Sequence, residues 1–202
     1  MNFLRKKERP SSPAEALPGR AEPIATAPTH FVNGHPLKGP YPAGIETAIF
    51  AMGCFWGAER KFWESGEGVY VTAAGYTGGF SPNPTYEETC SGATGHAEAV
   101  LVTFDPAVVS YPELLEAFWR HHNPTTPNRQ GPDRGTQYRS VVFTYSPEQE
   151  LQAKQSVQQF QVRFKRPIVT EVSPASTFWP AEAYHQRYTE RTGRGGCHVA
   201  NW

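Results

Sequence analysis

The sequence is poor in cysteine, in uncompensated charge and in long apolar runs. Three cysteines among 202 residues are too few for a disulfide scaffold, and an odd number cannot all pair within one chain. The 19 basic and 19 acidic residues cancel, so no basic surface predicts binding to nucleic acid or to an anionic membrane. No run reaches the roughly 18 apolar residues of a membrane span.

These absences favour a reducing compartment in which cysteine serves chemistry rather than structure. The segment Met1–Arg9 carries positive charge, but no apolar stretch follows it, as a signal peptide would require. We therefore expect a cytoplasmic protein. The cysteines and histidines have neither C-x-x-C nor H-x-x-x-H spacing, so we expect no metal.

Two regions differ in composition. Residues 1–42 contain eight of the 19 prolines and almost no periodic apolar pattern, which predicts a Pro-rich, partly disordered extension. From about Thr29 this extension is apolar enough to lie against a folded domain. Residues 43–202 are predicted to form that domain, which ends in a flexible glycine-rich segment.

Strand and helix patterns alternate along the domain. Predicted strands are Glu46–Met52, Gly68–Tyr76, Ala97–Phe104, Tyr138–Tyr145 and Ile168–Ser173. Helices are predicted over Gly57–Glu64, after the capping box Ser110–Glu113, and from Ser146 to about Phe164. This order indicates a two-layer α+β domain.

The last predicted helix and two long segments between elements have features of their own. In the last helix Gln149 is expected to complete a capping box with Ser146, and Leu151 and Phe160 are core candidates. The segments Thr77–Gly95 and Asn123–Gln137 are predicted to be long loops, which are usually functional in a compact domain.

Cys54 lies between a predicted strand and a predicted helix. Gly53 allows a sharp turn there, so the thiol is expected at the first turn of the helix, where exposed N–H groups and the helix dipole favour a thiolate. Residue spacing alone leaves a buried, structural cysteine equally open.

Several side chains are candidates to assist this thiol. Phe55 and Trp56 follow it directly and would make an apolar pocket for a methyl or thioether group, or pack in the core. Glu98 begins an apolar strand. It is either a proton donor with a raised pKa or a carboxylate solvated at the strand end.

The loops and the C-terminal part supply other candidates. Tyr86 and Tyr138 have phenols that can donate a hydrogen bond to a substrate oxygen. Asp133 is an orienting acid or a turn former, and His185 is a supporting or a structural residue. Taken singly, Tyr86, Tyr138 and His185 are better explained by a structural role, and Asp133 is open to either.

Two more thiols remain. Cys197 lies in the glycine-rich stretch Arg191–His198, whose flexibility would let its thiol reach Cys54 and form a disulfide. An idle terminal thiol is the alternative. Cys90 lacks such a flexible setting and is interpreted as structural, with disulfide formation as its minor alternative.

Several motifs together resemble one family, the A-type peptide methionine sulfoxide reductases. The resemblance covers roughly residues 30–197 in the family's order. It is carried by Gly53-Cys-Phe-Trp-Gly57, Gly75-Tyr-Thr-Gly-Gly79 with Asn83-Pro-Thr-Tyr86, Gly95-His-Ala-Glu-Ala-Val100, Gly135-Thr-Gln-Tyr-Arg-Ser140 and Ala183-Tyr-His-Gln186. It implies an α+β domain with a ferredoxin-like split βαβ core.

The resemblance also implies a role for each candidate residue. Cys54 would attack the sulfur of methionine S-sulfoxide, free or in proteins, and become a sulfenic acid. The other roles would be methyl binding by Phe55 and Trp56, proton donation by Glu98, hydrogen bonds to the oxygen from Tyr86 and Tyr138, and support from Asp133 and His185.

Recycling is implied in the same way. Cys197 occupies the family's recycling position, and thioredoxin would reduce the disulfide that it forms with Cys54. No cysteine follows it in the sequence, so no relay through a second C-terminal thiol is expected. Neither a cofactor nor a nucleic acid or membrane partner is expected, and the protein should be monomeric.

Two other classes of function compete with this interpretation. A cysteine peroxidase or hydrolase would also use Cys54, but peroxidase chemistry leaves Glu98, Phe55 and Trp56 unexplained, and a hydrolase requires a histidine base beside the thiol. A non-enzymatic module could bind oxidised methionine through its aromatic side chains. Thiol-dependent turnover distinguishes such a module from an enzyme.

Overall fold

The computed structural model describes residues 8–194. Its strands are β1 (Glu46–Met52), β2 (Val69–Thr77), β3 (Ala97–Phe104), β4 (Arg129–Gln130), β5 (Asp133–Arg134), β6 (Ser140–Thr144), β7 (Glu171–Pro174) and β8 (Trp179–Pro180). Its helices are α1 (Phe55–Trp63), α2 (Tyr86–Cys90), α3 (Tyr111–Arg120), α4 (Pro147–Gln161) and α5 (Tyr188–Thr192), with a 3₁₀ turn at Thr136–Tyr138. None of these helices is long and apolar enough to cross a bilayer.

One mixed sheet organises the domain and confirms the predicted α+β class. Its strand order is β7-β6-β1-β3-β2-β8, and β4 and β5 form a separate small ladder. β1 pairs antiparallel with both β3 and β6, β2 pairs antiparallel with β3, and β7 pairs parallel with β6. The central position of β3 puts its side chains in the interior, and all eight of its residues are buried.

The core has two parts because successive residues of a strand point to opposite faces of the sheet. On one face Phe50 packs with Phe62 of α1 and Phe118 of α3. On the other face Ile49 belongs to a second apolar cluster, which includes Leu37 of the N-terminal segment. Helices therefore cover one face, and the N-terminal segment covers part of the other.

The N-terminal segment contacts the domain at several points. Leu37 is 2 % exposed, and the Thr26 hydroxyl donates a hydrogen bond to the carbonyl of Ala181. The His30 ring lies 3.2 Å from the Thr72 hydroxyl. The boundary at residue 42 and the partial disorder of residues 1–42 stay predictions.

The sequence predicted α4 and the last long strand imperfectly. Ser146 caps α4 as expected, but Gln149 accepts from the Tyr145 N–H and donates to the carbonyl of Thr47 instead of completing a capping box. Leu151 is 57 % exposed, so its assignment to the core was wrong, whereas Phe160 packs against the core. The strand predicted at Ile168–Ser173 begins three residues later, at Glu171, and ends at Pro174 as β7.

The loop predicted at Thr77–Gly95 contains a helix that the sequence reading missed. Thr85 caps α2 in a complete capping box with Glu88. The box holds the first turn, because both side chains satisfy N–H groups that have no partner within a helix. Tyr86 is therefore the first residue of a short, capped helix and does not lie in an irregular loop.

We predict that Phe50→Ala lowers the free energy of unfolding by about 3–5 kcal/mol, since it leaves a cavity between two packed layers. Phe50 is fully buried, and its ring stacks on that of Phe62 with centroids 4.7 Å apart. Urea denaturation measures the change. The control, Val162→Ala, alters a residue that is 86 % exposed and should shift stability by less than about 0.5 kcal/mol. Equal losses in the two variants would contradict this account of the core.

Candidate active site

Cys54 is the N-cap residue of α1, directly after the turn that ends β1. Gly53 makes this turn at a φ of 99°, and a Cβ there would lie 2.6 Å from the Cβ of Gln130. Glycine is thus required both by the backbone angle and by the close approach of β4. The first turn of α1 carries no acidic residue. The prediction that the thiol lies at a helix start is confirmed. Such a position favours a thiolate.

Glu98 lies inside the protein beside this helix start. Its side chain is on β3, the residue is 1 % exposed, and its Oε2 accepts a hydrogen bond of 3.0 Å from the Phe55 N–H. The alternative of a carboxylate solvated at a strand end is therefore wrong. The carboxyl group instead satisfies an N–H of the first turn of α1, one residue from Cys54.

Tyr86 and Tyr138 both lie near this carboxyl group. Burial raises the pKa of the Tyr138 phenol, and the charges of Glu98, Cys90, Cys54 and Asp133 raise it further. Burial and the neighbouring Cys90 and Glu98 also raise the pKa of Tyr86. Both phenols are protonated at neutral pH, as an unshifted tyrosine also is, and can donate hydrogen bonds.

Phe55 and Trp56 form an aromatic wall beside the thiol. Phe55 is buried, and its ring centroid lies 5.0 Å from that of His185 and 5.7 Å from that of Tyr76. Trp56 is half-buried and stacks on Tyr188 with centroids 3.8 Å apart. Large rings in fixed orientations make an apolar surface suited to a methyl or thioether group.

His185 is held in this wall as a neutral ring. It is 1 % exposed, and burial lowers its pKa to about 4. Its Nδ1 accepts a 2.9 Å hydrogen bond from Trp56 Nε1, so the proton of the neutral ring is on Nε2. The imidazole therefore orients Trp56 and carries no charge at neutral pH.

Glu182 organises the same region and was missed in the sequence. Its Oε1 accepts from the Tyr86 N–H and its Oε2 from the Tyr76 hydroxyl, both at 2.9 Å. Its Oε2 also lies 3.9 Å from His185 Nε2. The available signal was a single carboxylate between two alanines, three residues before His185.

The remaining candidates are distributed unevenly. Asp133 begins β5 and lies close enough to affect the Tyr138 phenol electrostatically. Cys90, interpreted as structural, is half-buried and lies close enough to Tyr86 to raise the pKa of its phenol. Cys197 lies outside the described residues. The structure therefore brings together Cys54, Phe55, Trp56, Glu98, Tyr86, Tyr138 and His185, with Asp133 at the edge of the group.

A family model and curated relatives match most of this chain. The family model described as peptide methionine sulfoxide reductase matches residues 46–201. The chain belongs to the peptide methionine sulfoxide reductase family. Peptide methionine sulfoxide reductase MsrA 1 of Caulobacter vibrioides is 57 % identical over 196 residues, which cover 95 % of this chain and 89 % of the relative.

Solved structures of reductases share the fold. Methionine sulfoxide reductase A of Corynebacterium diphtheriae superposes with a TM-score of 0.84 at 38 % identity and covers 92 % of each chain. Mxr1 of Saccharomyces cerevisiae in complex with Trx2 has a TM-score of 0.55 at 24 % identity, covering 75 % of this chain and 89 % of Mxr1. That second likeness concerns the fold alone.

Behind the aromatic wall, this reductase fold buries a second carboxylate. Glu59 of α1 is 1 % exposed; its Oε2 accepts from the Arg187 N–H at 2.8 Å and its Oε1 from the Thr72 hydroxyl at 3.1 Å. Burial raises the pKa of Glu59 to about 7, although the charge of Arg187 opposes the shift. Glu59 thereby anchors the segment that carries His185 and Tyr188.

We predict that wild-type stability relative to Glu59→Gln falls as the pH rises from about 4.5 to about 7. The folded state keeps the Glu59 proton in this range, whereas the unfolded chain, with an ordinary carboxyl pKa of about 4.3, releases it. Binding of more protons by the folded state makes stability fall with pH.

Urea denaturation of both proteins at several pH values measures this difference. The control is Glu67→Gln, which changes an exposed carboxylate and should leave the pH dependence of stability unaltered. The quantity compared is the free energy of unfolding of wild type minus that of Glu59→Gln. If this difference stays constant across the range or grows with pH, the assigned cause is contradicted.

Proposed function

We propose that this chain reduces the S epimer of methionine sulfoxide, free or in proteins, with Cys54 as the nucleophile. The observation that carries the proposal is the Glu98 carboxyl group bonded to the Phe55 N–H, one residue from the thiol. Attack on a sulfoxide needs a thiolate, a proton for the oxygen and an apolar seat for the methyl group. Cys54, Glu98 and the Phe55–Trp56 wall supply these three requirements.

The first half-reaction balances as a two-electron transfer. The Cys54 thiolate attacks the sulfoxide sulfur, while Glu98 donates a proton to the oxygen. The Tyr86 and Tyr138 phenols, whose pKa burial raises, donate hydrogen bonds to the same oxygen. The oxygen then leaves the substrate sulfur as hydroxide, and a bond joins that sulfur to the Cys54 sulfur. Hydroxide attacks the Cys54 sulfur, the sulfur–sulfur bond breaks, methionine leaves, and Cys54 becomes a sulfenic acid.

We assign the other candidate residues to substrate binding. Phe55 and Trp56 hold the terminal methyl group, because their rings are fixed by packing and by the bond from Trp56 to His185. His185 acts through Trp56. Asp133, beside Tyr138, supports the oxygen-binding side.

The second half-reaction restores the thiol. The Cys197 thiol condenses with the Cys54 sulfenic acid, a disulfide forms and water leaves. Thioredoxin then reduces this disulfide by thiol exchange. Support for thioredoxin comes from Mxr1 of Saccharomyces cerevisiae, whose reduced form is 34 % identical to this chain and which has been solved in complex with Trx2.

We further propose that the core is a ferredoxin-like split βαβ unit and that residues 43–202 form the reductase domain. The order β6-β1-β3-β2 of the central strands, with α1 and α3 as crossovers, supports the first statement. The family match over residues 46–201 supports the second. We also propose that the protein is a cytoplasmic monomer with a Pro-rich N-terminal extension.

We predict that the purified protein with dithiothreitol reduces a racemic methionine sulfoxide peptide and stops near half conversion. The S epimer is consumed and the R epimer remains, which chiral chromatography of the products resolves. Complete consumption of both epimers would contradict the stereochemical assignment.

Cys54→Ser should abolish reduction while its circular dichroism stays unchanged, and full activity in that variant would exclude Cys54 as the nucleophile.

We also predict that Cys197→Ser loses steady turnover with thioredoxin but keeps the first turnover. The sulfenic acid on Cys54 forms normally in this variant, but no thiol converts it into the disulfide that thioredoxin reduces. Rapid-quench measurement of methionine formation separates the two phases. Turnover of the same variant with dithiothreitol is the control, and undiminished turnover with thioredoxin would transfer the recycling role to Cys90.

A further inference from the structure

Arg20 of the N-terminal segment contacts both α2 and the loop before it. Arg20 Nη2 lies 2.6 Å from Glu88 Oε1, and Arg20 Nη1 lies 3.0 Å from Glu88 Oε2. The same Nη1 donates a 2.7 Å hydrogen bond to the carbonyl of Asn83. A guanidinium that bonds both oxygens of a carboxylate fixes its direction as well as its charge.

Asn83 strengthens the same junction from the opposite side. Its side-chain amide donates to the carbonyls of Arg20 and Ala21 at 2.9 and 3.1 Å, and the Arg20 N–H donates to the carbonyl of Pro82. Gly19 allows this approach, since a Cβ there would lie 2.4 Å from the Pro82 oxygen. The two backbones are therefore joined over several residues.

The carboxylate that Arg20 holds also begins the helix that presents Tyr86. Glu88 Oε2 accepts from the Thr85 N–H at 2.9 Å, and Thr85 Oγ1 accepts from the Glu88 N–H at 3.2 Å. These two bonds are the capping box of α2, whose first residue is Tyr86. A helix of five residues is too short to be stable without such contacts.

We propose that Arg20 is a positioning residue for sulfoxide reduction, which fixes the start of α2 through Glu88 and so holds the Tyr86 phenol toward the substrate oxygen. This inference rests on the proposed function. It gives the N-terminal extension an indirect role in the site, through Glu88 and the start of α2. The Tyr86 N–H is held separately by Glu182, so loss of Arg20 disturbs the phenol without unfolding the helix.

The test compares Arg20→Ala with wild type in dithiothreitol, so that reduction by thioredoxin does not enter. We expect kcat to fall about tenfold, because small displacements of a catalytic group are costly, while KM changes little. Arg20→Lys should be intermediate, since lysine provides one point charge in place of the two-pronged contact. Arg9→Ala is the matched control. It removes another N-terminal ion pair, between Arg9 and Glu171, in which the two side chains are 41 % and 42 % exposed. This variant should leave kcat unchanged.

Coupling to Tyr86 distinguishes positioning from a general structural role. If Arg20 acts through this phenol, adding Arg20→Ala to Tyr86→Phe should reduce kcat no further than Tyr86→Phe alone. Two losses that multiply would overturn the proposal, as would wild-type kcat in Arg20→Ala. If Arg20→Ala does not fold, Arg20→Lys carries the same cycle. A wild-type protein that reduces no sulfoxide would instead contradict the proposed function.

Discussion

The hydrogen bond from the Phe55 N–H to the buried Glu98 carboxyl group is the contact on which the site depends. The strand order makes it possible, because β3 lies beside β1 and the chain leaves β1 directly into α1. The antiparallel register sets Phe50 opposite Val100, so residue 98 lies next to the end of β1. Thiol and acid therefore meet through the geometry of the sheet, although 43 residues separate Phe55 from Glu98 in sequence.

Burial opposes ionisation of the side chains around this contact. It raises the pKa of the Tyr86 and Tyr138 phenols, which are protonated at neutral pH in any case, and it keeps His185 neutral by lowering its pKa to about 4. Glu182 then fixes the backbone of Tyr86. The site thus combines protonated phenols and aromatic rings with the carboxyl groups of Glu98 and Glu182, which suits an uncharged sulfoxide better than an anionic substrate.

Sequence reasoning predicted the parts of the structure that local patterns determine. The bounds of β1 and β3, the cap at Ser110 and the position of Cys54 follow from apolar runs and capping residues. The exposure of Leu151 did not follow, because only packing decides which face of α4 is covered. Glu182 was missed for a similar reason: both groups that bond to it belong to distant segments, and the sequence around it gave little indication of them.

The central claim is that Cys54 itself takes the oxygen from the sulfoxide. The most direct measurement adds one equivalent of methionine S-sulfoxide to reduced Cys197→Ser protein in the presence of dimedone, which traps sulfenic acids. Peptide mass spectrometry then locates the adduct, and released methionine is counted in parallel. The account predicts one adduct on Cys54 for each methionine formed. Release of methionine while the Cys54 thiol stays intact and alkylatable would contradict it.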